Sequence, residues 1–91
     1  MEFVWDEKKN RSNISKHGYD FRDVKRIFSD EIVEIEDTRN DYGERRLKAI
    51  GILREKEVLV VYTVREDKIR IISARRAHDN ERKAYWKFKK N

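Results

Sequence analysis

Two apolar runs separated by four charged residues decide the fold of this chain: Val58-Leu59-Val60-Val61-Tyr62-Thr63-Val64 and Ile69-Arg70-Ile71-Ile72-Ser73-Ala74. The first run is β-branched and almost continuously apolar, which is typical of a strand buried on both faces. The charged residues 65–68 allow only a tight turn, so the two strands must pair as antiparallel neighbours. The stretch therefore predicts a hairpin built around a buried strand.

The flanking segments extend this sheet and add helices to it. Asp6 suits the N-cap and Gly18 the C-terminal cap of a first helix, and Asp20 suits the N-cap of a second. The apolar patterns predict strands over 3–5, 32–36 and 46–53, and helices over 7–17, 21–29 and 78–89. The order β-α-α-β-β-β-β-α predicts one α+β domain over residues 1–91. In it, a twisted antiparallel sheet packs with two N-terminal helices and one C-terminal helix.

Composition excludes several classes of protein. Charged residues make up 45% of the 91 residues and hydrophobic residues 37%, so the core is thin, but 11% aromatics and no proline favour a folded domain. No apolar stretch is long enough to span a membrane, and the first residues lack the apolar region of a signal peptide. The absence of cysteine excludes disulfides and thiolate sites. We expect a cytoplasmic protein without a membrane partner.

The charges are divided along the chain in a way that favours an anionic partner. Residues 27–43 contain six acidic residues and one basic residue, whereas residues 65–91 contain ten basic and four acidic residues. Arginine suits planar, bidentate contact with phosphate, and aromatic faces can stack on unpaired bases. Candidates for phosphate contact are Arg46, Arg65, Arg70, Arg75 and Arg76, and candidates for stacking are Tyr42, Tyr62, Tyr85 and Trp86.

Simpler interpretations of the same residues remain open. The lysines of the last helix are typical of a solvated surface, and Arg75-Arg76 can simply pair with Glu81 or with the acidic middle segment. Tyr62, Tyr85 and Phe88 fall on apolar patterns, which favours core positions over stacking platforms.

The sequence contains no motif for metal or nucleotide chemistry. It has no phosphate-binding glycine loop and no HExxH spacing, and its two histidines are 61 positions apart. We therefore expect no metal and no cofactor. The chemistry that remains is metal-free cleavage of RNA, in which the ribose 2′-OH attacks its own neighbouring phosphate and the enzyme supplies a proton acceptor, a proton donor and cations. Histidine titrates nearest neutrality, but His17 can equally cap the first helix, and His78 can cap the last one.

Three segments of the chain resemble the BrnT family, the toxins of type II toxin–antitoxin modules. They are Lys16-His17-Gly18, then Tyr42-Gly43-Glu44-Arg45-Arg46, and above all residues 60–65 with Ile69-Arg70-Ile71-Ile72-Ser73-Ala74-Arg75-Arg76-Ala77 and 81–85. The resemblance covers roughly residues 3–86, and the run from Arg70 to Ala77 is its most specific part.

This resemblance implies a RelE-like fold and an mRNA-interferase-like endoribonuclease that needs no metal and inhibits translation. It also implies a BrnA-like ribbon-helix-helix antitoxin, bound in a heterotetramer that contacts operator DNA through the antitoxin and represses its own operon. The alternative function is a non-catalytic protein that binds RNA or ribosomes, or that acts only as a corepressor through the antitoxin complex.

The resemblance also suggests roles for individual residues. We hypothesise that Arg65, Arg75 and Arg76 clamp the scissile phosphate, with support from Arg46 and Arg70. The candidate proton acceptors are, in order, His17, Glu81 and Lys16. The residues assigned to RNA binding, all at positions shared with the family, are Lys16, Arg46, Arg70, Ser73 and Tyr85.

Overall fold

The computed structural model describes residues 1–39, 41 and 43–90. Its strands are β1 (Glu2–Val4), β2 (Val33–Asp37), β3 (Arg46–Leu53), β4 (Lys56–Arg65) and β5 (Lys68–Arg76). Its helices are α1 (Glu7–His17), α2 (Phe21–Val24), which continues as a 3₁₀ helix over Lys25–Ser29, and α3 (Asp79–Lys89). The order confirms the α+β prediction. No helix in this part of the chain is long and apolar enough to cross a membrane.

The strands form one sheet in the order β1-β5-β4-β3-β2. The short connections make β2, β3, β4 and β5 antiparallel neighbours as predicted, and the buried strand β4 is central. β1 departs from the expected antiparallel sheet because it runs parallel to β5. More than sixty residues separate these two strands in sequence, so no turn dictates their relative direction.

The two faces of the sheet bury separate cores. On one face, which we call the α2 face, Phe21, Val24 and Ile27 pack against side chains of β3, β4 and β5. On the other, the α3 face, Ala77 and Tyr85 pack against residues such as Ile50 and Leu59. Phe88, which the apolar pattern placed with Tyr85, is exposed instead.

Helix α1 lies along the edge of β5, and two buried asparagines join it to β5 and to the start of α2. The side-chain amide of Asn13 accepts a hydrogen bond from the Ala74 N–H (3.0 Å) and donates to the carbonyl of the same residue (2.9 Å). Asn10 accepts from the Phe21 N–H at 2.8 Å and donates to Asp20 at 3.0 Å. Because β1 pairs with β5 only at residues 68–70, Asn13 supplies the hydrogen bonds that a neighbouring strand would otherwise give to Ala74.

Candidate functional site: an arginine-rich surface on the α3 face

A basic surface occupies the end of the α3 face that the helix leaves uncovered. Helix α3 covers the end of this face where Val33, Ile50 and Leu59 lie. At the other end, the register puts basic side chains from three neighbouring strands on the same side of the sheet. We call this surface the open face and define it by Arg46, Lys48, Arg65, Arg70, Ser73 and Arg75.

A β-bulge in β5 places these residues together. Arg70 pairs with Thr63 of β4, Ser73 with Val61 and Arg75 with Leu59. The three β4 partners are spaced by two residues and so lie on one face, whereas Arg70 and Arg75 are five residues apart. The extra residue, Ile72, restores the alternation and keeps Ser73 and Arg75 on the side of Arg70.

Glu44 lies beside Arg65 and Arg46, and the charge of Arg70 also acts on its carboxylate. Its carboxylate accepts a hydrogen bond from Arg65 Nε at 3.1 Å and a shorter one from the end of the same guanidinium. Arg46 Nε lies 3.9 Å from the Glu44 carboxylate. The hydrogen bonds from Arg65, with the positive charges of Arg46 and Arg70, hold the pKa of Glu44 below its usual value. The Arg65 side chain is 62% exposed, so a phosphate can reach it.

Arg75 and Glu81 form a second ion pair where the open face meets α3. Two parallel hydrogen bonds of 2.8 and 2.9 Å join the guanidinium to the carboxylate. Glu81 also accepts the backbone N–H of His78 at 2.7 Å, which caps the helix. These contacts lower the pKa of Glu81 to about 2, and the hydrogen bonds from Arg75 have the largest effect. Glu81 is therefore suited to orienting Arg75, and it is a weak proton acceptor.

Lys16 and His17 lie at the edge of the same region. They end helix α1, where Gly18 adopts the left-handed conformation (φ +77°) that stops it. Together with Ile72 and Ser73 they line a depression of about 180 Å³. The Asn13 bonds to β5 fix this end of the helix beside Ser73. Both side chains are exposed to solvent.

Several candidate residues lie elsewhere. Arg76 pairs in register with Val58, a residue of the α2-face core, and its guanidinium lies 3.3 Å from Glu57 in a groove outside α3. Tyr85 is only 2% exposed in the α3-face core, so its ring is not available to a base. Tyr62 is equally buried on the α2 face and donates to Glu34, and burial raises its pKa. Trp86 is 46% exposed, and Tyr42 lies outside the described residues.

No sequence motif predicts a role for Glu44 or Asn13. Glu44 follows a loop whose path the sequence does not determine, so its proximity to Arg65, 21 positions away, carried no local signal. The position of Asn13 is nevertheless visible in the sequence. It is a polar residue on the side of α1 that has the best helical spacing, and this helix is poorly amphipathic. Among the described residues, no group of three or more histidine, aspartate or glutamate side chains is arranged to hold a metal ion.

The open face is suited to binding a phosphodiester. Arg65 on β4 hydrogen-bonds the Glu44 carboxylate through two guanidinium nitrogens, Arg46 on β3 lies 3.9 Å from it, and the charge of Arg70 on β5 acts on it. A phosphate offers the same kind of oxygen acceptor and can take the place of that carboxylate. The sheet holds the three backbones rigid, so the positive charges are positioned before a ligand arrives.

Comparisons with known proteins identify similar proteins in sequence and in fold. Residues 5–81 match the family model described as the ribonuclease toxin BrnT of type II toxin–antitoxin systems. The fold is similar to the 1.1 Å crystal structure of the Brucella abortus ribonuclease toxin BrnT, with a TM-score of 0.63 and 32% sequence identity. The match covers 87% of this chain and 99% of that one. None of the curated proteins matches the chain in sequence.

Proposed function

Because this chain belongs to the BrnT family of ribonuclease toxins of type II toxin–antitoxin systems, we propose that it is a metal-independent endoribonuclease acting at the open face. It cleaves messenger RNA in the manner of an mRNA interferase and so inhibits translation. The observation that carries this proposal is the positive charge around Glu44, which Arg65 hydrogen-bonds, Arg46 approaches to 3.9 Å and the charge of Arg70 also influences.

In this mechanism the substrate supplies its own nucleophile. The ribose 2′-OH attacks the adjacent phosphorus, the bond to the 5′-oxygen of the next nucleotide breaks, and a 2′,3′-cyclic phosphate forms. Negative charge increases on the phosphate oxygens in the transition state, where guanidinium groups stabilise it. Arg65 and Arg70 contact that phosphate with support from Arg46, while Arg75, oriented by Glu81, contacts a neighbouring phosphate.

Two proton transfers complete the reaction. We assign the proton acceptor for the 2′-OH to His17, because it lies at the exposed edge of the open face beside Ser73 and histidine titrates nearest neutrality. The protonated His17 or the neighbouring Lys16 returns a proton to the leaving 5′-oxygen. Glu44 acts as a positioning residue that holds Arg65 until the phosphate displaces it.

Membership of a type II toxin–antitoxin family implies an antitoxin partner. In our proposal this partner is a BrnA-like ribbon-helix-helix protein that neutralises the toxin in a heterotetramer. The complex binds operator DNA through the antitoxin and represses its own operon. The toxin acts in the cytoplasm, where its RNA substrate is translated.

The test is incubation of the purified protein with a defined RNA in excess EDTA, followed by mapping of the product ends. We expect fragments ending in 2′,3′-cyclic phosphate or 3′-phosphate. Fragments ending in 3′-hydroxyl, or activity that appears only after a divalent metal is restored, would refute the metal-free mechanism. If free RNA stays intact, the same assay is run on translating ribosomes. If the RNA stays intact there as well, the proposed nuclease activity is refuted, and the alternative of a non-catalytic protein is favoured.

A further inference from the structure

A second basic surface lies on the outer side of α3. It is an open groove of about 590 Å³, which we call the α3 groove, and it is lined by Glu57, Arg76, Asp79, Arg82, Lys83, Trp86, Lys87 and Lys90. Five of these residues are basic and two are acidic. The open face lies beyond the other side of the helix, where Glu81 contacts Arg75.

Four of the lining residues form a stripe along the helix. Lys83, Trp86, Lys87 and Lys90 are spaced i, i+3, i+4 and i+7, which places them on one side of α3. The rise of an α-helix separates the three lysines by about 6 and about 4.5 Å along the axis. Neighbouring phosphates of an extended nucleic-acid strand have a similar separation.

The acidic residues of the groove are already engaged by other groups. Glu57 accepts hydrogen bonds from Trp86 Nε1 at 2.6 Å and from Arg76 at 3.3 Å, and these contacts lower its pKa. Asp79 accepts from Arg82 at 2.9 Å and also pairs with the exposed Lys83, whose Nζ lies 3.7 Å from its carboxylate. Among the described residues no ion pair joins Lys87 or Lys90 to an acidic group, so their charges are available to a ligand.

Trp86 is held in a fixed orientation and is partly open to solvent. Its indole N–H is bonded to Glu57, and its ring makes an edge contact with Tyr85 at a centroid distance of 5.0 Å. Nearly half of the residue remains exposed between Lys83 and Lys87. A fixed aromatic face next to a row of cations is the arrangement that single-stranded nucleic acids bind without sequence preference.

We propose that the α3 groove binds the RNA strand beyond the cleaved segment, with its phosphates on Lys83, Lys87 and Lys90 and a base stacked on Trp86. This proposal rests on the proposed function, because an endonuclease acts on a chain that extends past its site. Arg75 and Arg76 are consecutive and belong to the two surfaces, so β5 connects them. RNA fits better than an acidic protein segment, because Trp86 is the only apolar side chain among the described residues that line the groove, and the core of a protein interface is largely apolar.

The experiment measures binding alone, so it does not depend on cleavage. Fluorescence anisotropy gives the dissociation constants of unstructured 2′-O-methyl RNAs of 5 and 20 nucleotides, whose blocked 2′-oxygens cannot attack. The variant is Lys83→Gln/Lys87→Gln/Lys90→Gln. Its matched control is Lys8→Gln/Lys25→Gln/Arg26→Gln, which removes the same charge from exposed residues of α1 and the 3₁₀ helix.

We expect the groove variant to bind the 20-nucleotide RNA at least tenfold more weakly than the wild type does. It should also lose most of the affinity gained on lengthening from 5 to 20 nucleotides. The slope of log Kd against log salt should decrease by about 2, since each phosphate contact on a single strand contributes about 0.7. The control variant should keep the affinity gained with the longer RNA and the wild-type slope of log Kd against log salt.

A second readout tests stacking. In a Trp5→Phe background, binding of the 20-nucleotide RNA should quench the fluorescence of Trp86, and Trp86→Ala should weaken binding about tenfold. Equal losses in the groove variant and its control would overturn the proposal, because net charge alone would then explain the binding. The proposal also fails if the groove variant binds RNA normally but no longer binds a decaglutamate peptide, since the groove would then be a site for an acidic protein segment.

Discussion

Arg70 and Arg75 project from the same face of β5 although five residues separate them. Arg70 pairs with Thr63 and Arg75 with Leu59, and the bulge at Ile72 absorbs the odd residue between them. Without the bulge, Arg75 would point into the α2-face core and Ala74 toward the open face. One irregular residue therefore determines whether the arginines of β5 act together.

Replacing Arg65 with alanine should reduce cleavage strongly. Arg65 is the most accessible of the arginines around Glu44, and loss of one transition-state donor typically costs about 10²- to 10³-fold in rate. The measurement is kcat/KM on a short RNA, together with growth arrest on expression. Arg26→Ala is the matched control, because Arg26 is exposed on the 3₁₀ helix away from the open face. Full activity in Arg65→Ala would contradict the assignment, as would a larger loss in Arg76→Ala.

Replacing Glu44 with glutamine should change kcat and KM in the same direction. The variant removes the carboxylate that competes with the substrate phosphate for Arg65, so KM should fall. It also weakens the bond that orients Arg65, so kcat should fall about tenfold. Steady-state kinetics on a short RNA separates the two effects. If Glu44 were the proton acceptor instead, kcat would fall by several orders of magnitude and the low-pH limb of the rate profile would disappear.

Replacing His17 with alanine should remove one limb of the pH–rate profile. A general base that accepts the proton of the 2′-OH must be unprotonated, so kcat should rise with pH in the wild type. In His17→Ala this rise should be absent and the rate should be about 10²-fold lower. His78→Ala serves as the control, because His78 is exposed at the start of α3. An unchanged profile in His17→Ala would show that another group accepts the proton.

The ion pair of Glu81 should make stability depend on pH. Its pKa is lowered to about 2 in the folded protein, so the folded state favours the carboxylate. The resulting stabilisation is complete above a pH of about 4.5 and is lost as the pH falls from there toward 2. Glu81→Gln should therefore unfold about 2 kcal/mol more easily than the wild type at pH 7, with little difference at pH 2. Urea unfolding at several pH values measures this, and a constant difference would contradict it.

Replacing Asn13 with alanine should destabilise the protein, because it removes the hydrogen bonds between α1 and the edge strand segment of β5. The variant leaves the buried N–H and C=O of Ala74 without their side-chain partner, which should lower the free energy of unfolding by about 2 to 4 kcal/mol. The neighbouring Ser12→Ala, at an exposed position, should change it by less than about 0.5 kcal/mol. A small effect of Asn13→Ala would mean that α1 is not held to β5 by this amide.

Local patterns were sufficient for most of the fold. The apolar alternation of β3, β4 and β5, the short turns between them and the capping residues Asp6 and Gly18 are signals within a few residues of each other. The direction of β1 could not be predicted in this way, because its partner β5 lies more than sixty residues away. The division of the predicted helix 21–29 into α2 and a 3₁₀ helix likewise has no clear local signal.

The candidate site likewise combines features that the sequence predicts locally with features that only contacts between distant segments determine. The arginine-rich composition, the phosphate chemistry that it favours and the family resemblance were all contained in the sequence by itself, because residue types and spacings carry them. Only the tertiary structure decided which arginines share a surface. The bulge at Ile72 keeps Arg75 on the same face as Arg70, and strand pairing brings Glu44 to Arg65. Arg76, by contrast, lies in the groove outside α3. These relationships depend on contacts between distant segments, and such contacts form only when the whole chain has packed.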